Sequence, residues 1–244
     1  MKGTPISKRE SQVIKEIDSR DMITFTPLDI ERFLDISENN TRRIIKSMKE
    51  KDLIRSPERG KYILTDTMKE LDIYEIASDL FKPSYLGFWS ALHFHSMTDQ
   101  VPRKVFMVST MRKRPLEIRG ERIVYVTLSK PLFFGYEKIG RVIVSDREKS
   151  IMDSLRHPDH SGGIEHILAS IPSDLDLEKL LEYCEMTKSS ATASRLGYLL
   201  TKKKMEFDRD RLKGSITSYT KLDPKGPDEG KPDQEWKLHI NRVV

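Results

Sequence analysis

Apolar positions in the first eighty residues recur at helical spacing and then switch to alternation. Val13, Ile14 and Ile17 form one stripe, and Ser7 ahead of them can cap a helix running through Arg20. Thr26-Pro27 places a cap before a proline at the first helical position, where its missing N–H would have had no partner anyway. The second helix then carries Leu28, Ile30, Phe33 and Leu34 inward. Ile36-Ser37-Glu38-Asn39 makes a turn, and Asn39 or Asn40 opens a third helix with Thr41, Ile44, Ile45 and Met48 on one face. Asn40, Arg42, Arg43 and Lys46 fall on the other faces. Leu53-Ile54-Arg55 and Tyr62-Ile63-Leu64 alternate, joined by Ser-Pro-Glu-Arg-Gly-Lys, whose proline and glycine signal the turn of a hairpin. Three helices and a hairpin in this order predict a winged helix-turn-helix.

Beyond it, Thr67 to Lys82 keeps a helical apolar set (Leu71, Ile76, Ala77, Leu80) that Pro83 stops. Ser84 reads as the cap of a further helix containing Tyr85, Phe88, Trp89 and Leu92. Four strands are expected at Val105–Val108, Arg119–Leu128, Pro131–Gly135 and Gly140–Val144, followed by a helix capped by Ser145-Asp146. Helices follow at Gly163–Ile171, Leu177–Met186 and Ala191–Lys203, then a Pro- and Gly-rich loop (KLDPKGPDEGKPDQ). Trp236, Leu238 and Ile240 alternate in a last strand expected to return to the sheet. The predicted class is α+β, with a winged helix-turn-helix over residues 1–80 and a larger mixed α/β domain over 81–244 that ends in helices and a final strand.

Charge sharpens this picture. The 244 residues carry a net charge of +5, which permits nucleic-acid binding without demanding it. Its placement says more. From Ile36 to Leu64 there are eight Lys or Arg against four acids, whereas the residues before Ile36 lean acidic. A recognition segment that exchanges condensed counterions for lysine and arginine needs such a concentration. A major groove admits one helix, and Asn or Arg near its amino-terminal end can reach adenine or guanine edges. The expected DNA contacts are therefore Asn39, Asn40, Thr41, Arg42, Arg43 and Lys46 on the third helix, with Arg55, Arg59 and Lys61 of the wing on phosphates.

Other chemistry is weaker. Asp146, Glu148 and Lys149 after a strand invite a metal-nuclease reading, but Asp146 serves equally as a helix cap, with Glu148 and Lys149 on an exposed first turn. His157 and His160 lack companions at zinc spacing, and His93 and His95, two apart on a helix, face different ways. Gly162-Gly163 is a flexible helix entry, and Lys202 to Lys204 suit a helix carboxy terminus. Met111-Arg112-Lys113-Arg114 is either a second phosphate-contacting patch or a solvated loop. The lone Cys184 excludes an internal disulfide framework and fits a reducing cytoplasm; the first residues show no secretory signal and no run spans a bilayer.

Several segments together resemble the AbiEi family of antitoxins from type IV toxin–antitoxin systems. They are Pro83-Ser84-Tyr85 with Trp89-Ser90-Ala91-Leu92; Thr98-Asp99-Gln100-Val101-Pro102 ahead of Val105–Val108; and Val144-Ser145-Asp146-Arg147-Glu148-Lys149-Ser150 with Asp153. Gly162-Gly163, Ser194-Arg195-Leu196-Gly197-Tyr198-Leu199-Leu200 and Trp236-Lys237-Leu238 with Ile240-Asn241 complete the match. The resemblance implies a transcriptional autorepressor that binds operator repeats in duplex DNA as a homodimer or as cooperative monomers. It also implies functional antagonism of a nucleotidyltransferase-like toxin without a stable complex, no catalysis of its own and no cofactor or metal. The competing expectations are a DNA-directed nuclease using Asp146 and Glu148, and a regulator with a ligand-sensing carboxy-terminal domain.

Overall fold

The computed structural model describes residues 5–243, and these divide into two compact units, residues 5–82 with 115–123 and residues 83–114 with 124–243. The first unit begins with α1 (Lys8–Ser19), α2 (Pro27–Leu34) and α3 (Glu38–Glu50). Ser7 and Thr26 each form a capping box, with Glu10 and Asp29 respectively, which satisfies otherwise orphaned amides at the helix starts. The left-handed Asp35 (φ 48°) ends α2 and turns the chain into α3. Strands β1 (Ile54–Glu58) and β2 (Lys61–Leu64) form an antiparallel hairpin, with Glu58 opposite Lys61. Gly60 at its tip has φ +79°, a conformation that L side chains rarely adopt. Phe25 adds an antiparallel bridge to Tyr62, so the segment between α1 and α2 extends the wing.

Val13, Ile17, Ile30, Ile44, Ile45, Met48, Ile54 and Leu64 close the core of this winged helix-turn-helix. Two helices follow where the sequence predicts one. Helix α4 (Thr65–Glu70) ends at the extended Leu71, and Asp72 caps α5 (Ile73–Leu80) through the Tyr74 amide. A capping box at Asp72 and Glu75 restarts the helix, a signal hidden inside one continuous apolar period.

In the second unit, β3 (Ser84–Leu86), α6 (Phe88–Phe94) and β4 (Lys104–Ser109) replace the helix expected from Ser84. Ser84 to Leu86 pair with Ser109 to Met107, so sheet formation overrides the local cap signal. Gly87 must stay small, because a Cβ there would lie 2.6 Å from Cγ2 of Val108. A hairpin of β5 (Leu116–Ile118) and β6 (Glu121–Thr127) follows, its first part belonging to the first unit. Strands β7 (Tyr136–Ile139) and β8 (Val142–Ser145) complete a sheet in the order β6-β4-β3-β8-β7. The strand expected at Pro131–Gly135 is instead a short 3-10 turn and loop, and β7 lies just after it.

Helix α7 (Arg147–Arg156) is surrounded by α6, α8 (Ile164–Ser170), α9 (Leu177–Thr187) and α10 (Ser190–Lys202). Its Ile151, Met152 and Leu155 share a helical core with Leu180, Leu196, Leu199 and Trp236. A short α11 (Arg209–Lys213) precedes a separate small sheet of β9 (Thr220–Lys221), β10 (Lys231–Asp233) and β11 (Leu238–Ile240). The last strand thus joins this three-stranded sheet, parallel to β9 and antiparallel to β10, rather than returning to the main one. Trp236 and Leu238 explain why, since both are buried against the helical layer. No helix among the described residues is long and apolar enough to cross a membrane.

Candidate nucleic-acid interface

Helix α3 sits with Thr41, Ile44, Ile45 and Met48 against the core and turns the rest of its circumference outward. Two polar ties fix it. Ser47 Oγ donates to Glu10 Oε1 at 2.7 Å, and Lys51 Nζ donates to Glu10 Oε2 at 2.6 Å. Glu10 itself is buried on α1. Burial raises its carboxyl pKa, but the hydrogen bonds from Lys51, Ser7 and Ser47 outweigh that and hold it at about 2.

The outward surface holds most of the residues the sequence singles out. Asn39, Arg42, Arg43 and Lys46 are exposed and Asn40 is partly so. Asn39, Arg43 and Lys46 lie one helical turn apart and form a stripe. Arg42 pairs with Glu38 at 2.5 Å, and Lys46 approaches Glu50 at 3.9 Å. Such exposed pairs contribute little to stability. On the wing, Arg59 is exposed at the hairpin tip, and Arg55 pairs with Asp52 at 2.7 Å.

Two of the expected contacts are corrected. Thr41 has no exposed surface, and its hydroxyl donates to the Ser37 carbonyl at 3.3 Å. Its place on the apolar face makes it a packing residue. Lys61 is half-buried and donates to the carbonyl of Leu80, so its ammonium serves the carboxy-terminal end of α5. Leu28, expected inside, is instead 51% exposed at the start of α2.

Sequence reasoning also missed Lys49. It is exposed, its ammonium lies 4.8 Å from the Tyr62 ring centroid, and with Arg42, Lys46, Ile45, Pro27 and Leu28 it lines an open groove between α2 and α3. Its spacing of three from Lys46 was the available signal.

The second unit places the other candidate chemistry around α7. Glu148 and Lys149 are buried, contrary to the expected exposed turn: Lys179 of α9 pairs with Glu148, and the Tyr85 and Phe134 rings flank the Lys149 ammonium. Lys149 Nζ bonds the Asp153 carboxylate, which also accepts from Tyr85 Oη at 2.9 Å. Burial lifts the Asp153 carboxyl above its ordinary range although Lys149 opposes it, and burial beside that carboxylate raises the Tyr85 phenol. Asp146 caps α7 by accepting from the Lys149 amide at 2.8 Å. The Lys179 ammonium lies between the two carboxylates of the nuclease reading, 3.1 Å from Asp146 and 3.2 Å from Glu148. Tyr183 Oη donates to Asp146 at 2.8 Å. The arrangement is a network of satisfied ion pairs tying α7 to α9.

The histidines are spread through this unit in structural contacts. The His157 and His160 rings are 5.8 Å apart beside Phe88, and burial lowers both pKa values. His95 Nε2 meets the Ser145 carbonyl oxygen at 2.6 Å. Among the described residues, no group of three or more His, Cys, Asp or Glu is arranged to hold a metal ion. Cys184 is buried, which pushes its thiol up to about 12.

No protein-family model and no curated protein matches the chain. Among solved structures, the chain is similar to the Rv2827c protein of Mycobacterium tuberculosis, with a TM-score of 0.58 and 13% sequence identity. The match covers 96% of this chain and 92% of that one. At this identity the likeness concerns the fold alone.

Proposed function

We propose that this chain is a DNA-binding autorepressor and antitoxin of the AbiEi type, which reads operator repeats with α3 and the wing. The observation that carries the DNA-binding part is the outward stripe of Asn39, Arg43 and Lys46 on a helix whose opposite face is fully committed to the core. Arg42 and Lys49 flank that stripe, and Arg59 lies at the wing tip. A helix held this way offers a rigid polar face of the width a major groove accepts. Asn39, Asn40, Arg42 and Arg43 occupy its amino-terminal half, from which base edges are reached, whereas Lys46, Lys49, Arg55 and Arg59 suit phosphates.

The antitoxin part rests on the resemblance that runs through the second unit, and the opponent it implies is a nucleotidyltransferase-like toxin. The DNA-binding part is tested by titrating the protein against the fragment upstream of its own reading frame, with shuffled DNA of equal composition as competitor. A preference for the upstream fragment supports the proposal, and equal affinity for the two counts against it. The antitoxin part is tested by expressing the adjacent reading frame alone and together with this chain. Growth arrest by the neighbour, relieved by co-expression, supports it; arrest unaffected by this chain contradicts it.

A further inference from the structure

We infer that Glu38 sets part of the base preference of α3 by positioning the Arg42 guanidinium. This inference rests on the DNA-binding reading above. Glu38 is the first residue of α3 and Arg42 stands one turn further on, so both face the same side of the helix's amino-terminal half. Glu38 Oε1 accepts from an Arg42 terminal nitrogen at 2.5 Å. That contact is shorter than the Lys46–Glu50 approach of 3.9 Å further along the same helix.

Both side chains are largely exposed, at 64% for Glu38 and 70% for Arg42, so the pair adds little to the fold of the free protein. A carboxylate on a face that approaches a polyanion opposes binding to any sequence. In the first turn it complements the positive end of the helix, and against DNA it selects through its partner. Holding one edge of the guanidinium leaves the other donors of a rigid planar fork aimed in one direction, which matches the paired O6 and N7 acceptors of guanine. Arg43, without an acidic partner among the described residues, carries no such constraint and suits either phosphate or base. Glu38 is therefore a positioning residue, acting on DNA through Arg42 while repelling misaligned backbone.

The experiment is a binding selection from DNA carrying the upstream sequence with each half-site randomised, followed by titration of selected and shuffled duplexes. The unsubstituted protein should select guanine at one position per half-site. Glu38→Ala and Arg42→Ala should both lose that selection, and Arg43→Ala should keep it. For Glu38→Ala the affinity ratio between selected and shuffled DNA should fall about tenfold. Its affinity for shuffled DNA should rise, because an anion has left the interface. Glu38→Gln, which keeps the accepting oxygen without the charge, should restore part of the guanine selection. Guanine selection retained by Glu38→Ala overturns this inference alone. Absence of any preference in the unsubstituted protein overturns the DNA-binding reading and this inference with it.

Discussion

The Lys51 ammonium donates to the Glu10 carboxylate at 2.6 Å, joining the end of α3 to the first turn of α1. Glu10 is 2% exposed and also accepts from Ser47 and from its own cap, Ser7, so a single buried carboxylate orients the helix that faces outward. Glu10→Ala leaves Lys51 and Ser47 without their partner and should lower unfolding free energy by about 2–3 kcal/mol. Urea denaturation of the two proteins measures this, and an unchanged midpoint would show that the tie is dispensable.

The same carboxylate makes stability depend on pH. Its folded pKa of about 2 lies below the ordinary 4.5, so its contribution is fully present above pH 4.5 and is lost as pH falls toward 2. With partial solvent screening the loss amounts to roughly 1–2 kcal/mol. Urea midpoints at pH 6 and pH 3 should therefore diverge more for the unsubstituted protein than for Glu10→Gln. Equal divergence would assign the acid sensitivity to other carboxylates.

Arg195 on α10 is 5% exposed and donates to the carbonyls of Leu155, Lys221 and Leu222, linking the end of α7 to β9. Burial pulls its pKa down to about 10, and Asp223 offsets this only in part. Arg195→Lys keeps the charge but not the planar fork that reaches three carbonyls, and it should cost about 3 kcal/mol. Chemical denaturation followed by tryptophan fluorescence is a suitable readout, since Trp236 lies in the same core. A cost below about 1 kcal/mol would contradict this role.

Gly197 of α10 packs directly against the Trp236 ring. A Cβ at that position would stand 2.2 Å from the indole ring, so Gly197→Ala must push the tryptophan or the helix aside. Although alanine favours helices, overpacking should prevail and destabilise by about 1–3 kcal/mol. A thermal midpoint at or above that of the unsubstituted protein would show that the packing yields.

Much of the first unit is legible because its signals are local. Ser7 and Thr26 cap the helices that their positions in the sequence assign to them, and Gly60 sits at the turn of the hairpin. The exposed stripe of α3 follows from its period alone. Lys61 and Leu28 do not, because their surroundings depend on α5 and on the width of the groove beside α3. In the second unit, Ser84 carries a valid cap signal that pairing with β4 overrides. Glu148 and Lys149 look like a solvated first turn because charge normally marks exposure. Only the packing of α9 shows that Lys179 is supplied to Glu148, while Lys149 finds Asp153 on its own helix.

Thr41 separates helix packing from recognition. It lies in the same segment as Asn40 and Arg42 but faces the core. Thr41→Val, similar in shape, should leave DNA affinity within about twofold, because a buried methyl replaces a hydroxyl bonded only to the Ser37 carbonyl. A larger loss in a gel-shift titration would mean that Thr41 turns outward on DNA.

The central claim is tested most directly by titrating the upstream fragment at several salt concentrations with the unsubstituted protein and with Arg43→Ala/Lys46→Ala. The double substitution should weaken binding by at least about 1 kcal/mol and flatten the dependence of log affinity on log salt by about one to two units. Identical affinities and slopes for the two proteins would contradict the assignment of α3 as the surface that meets DNA.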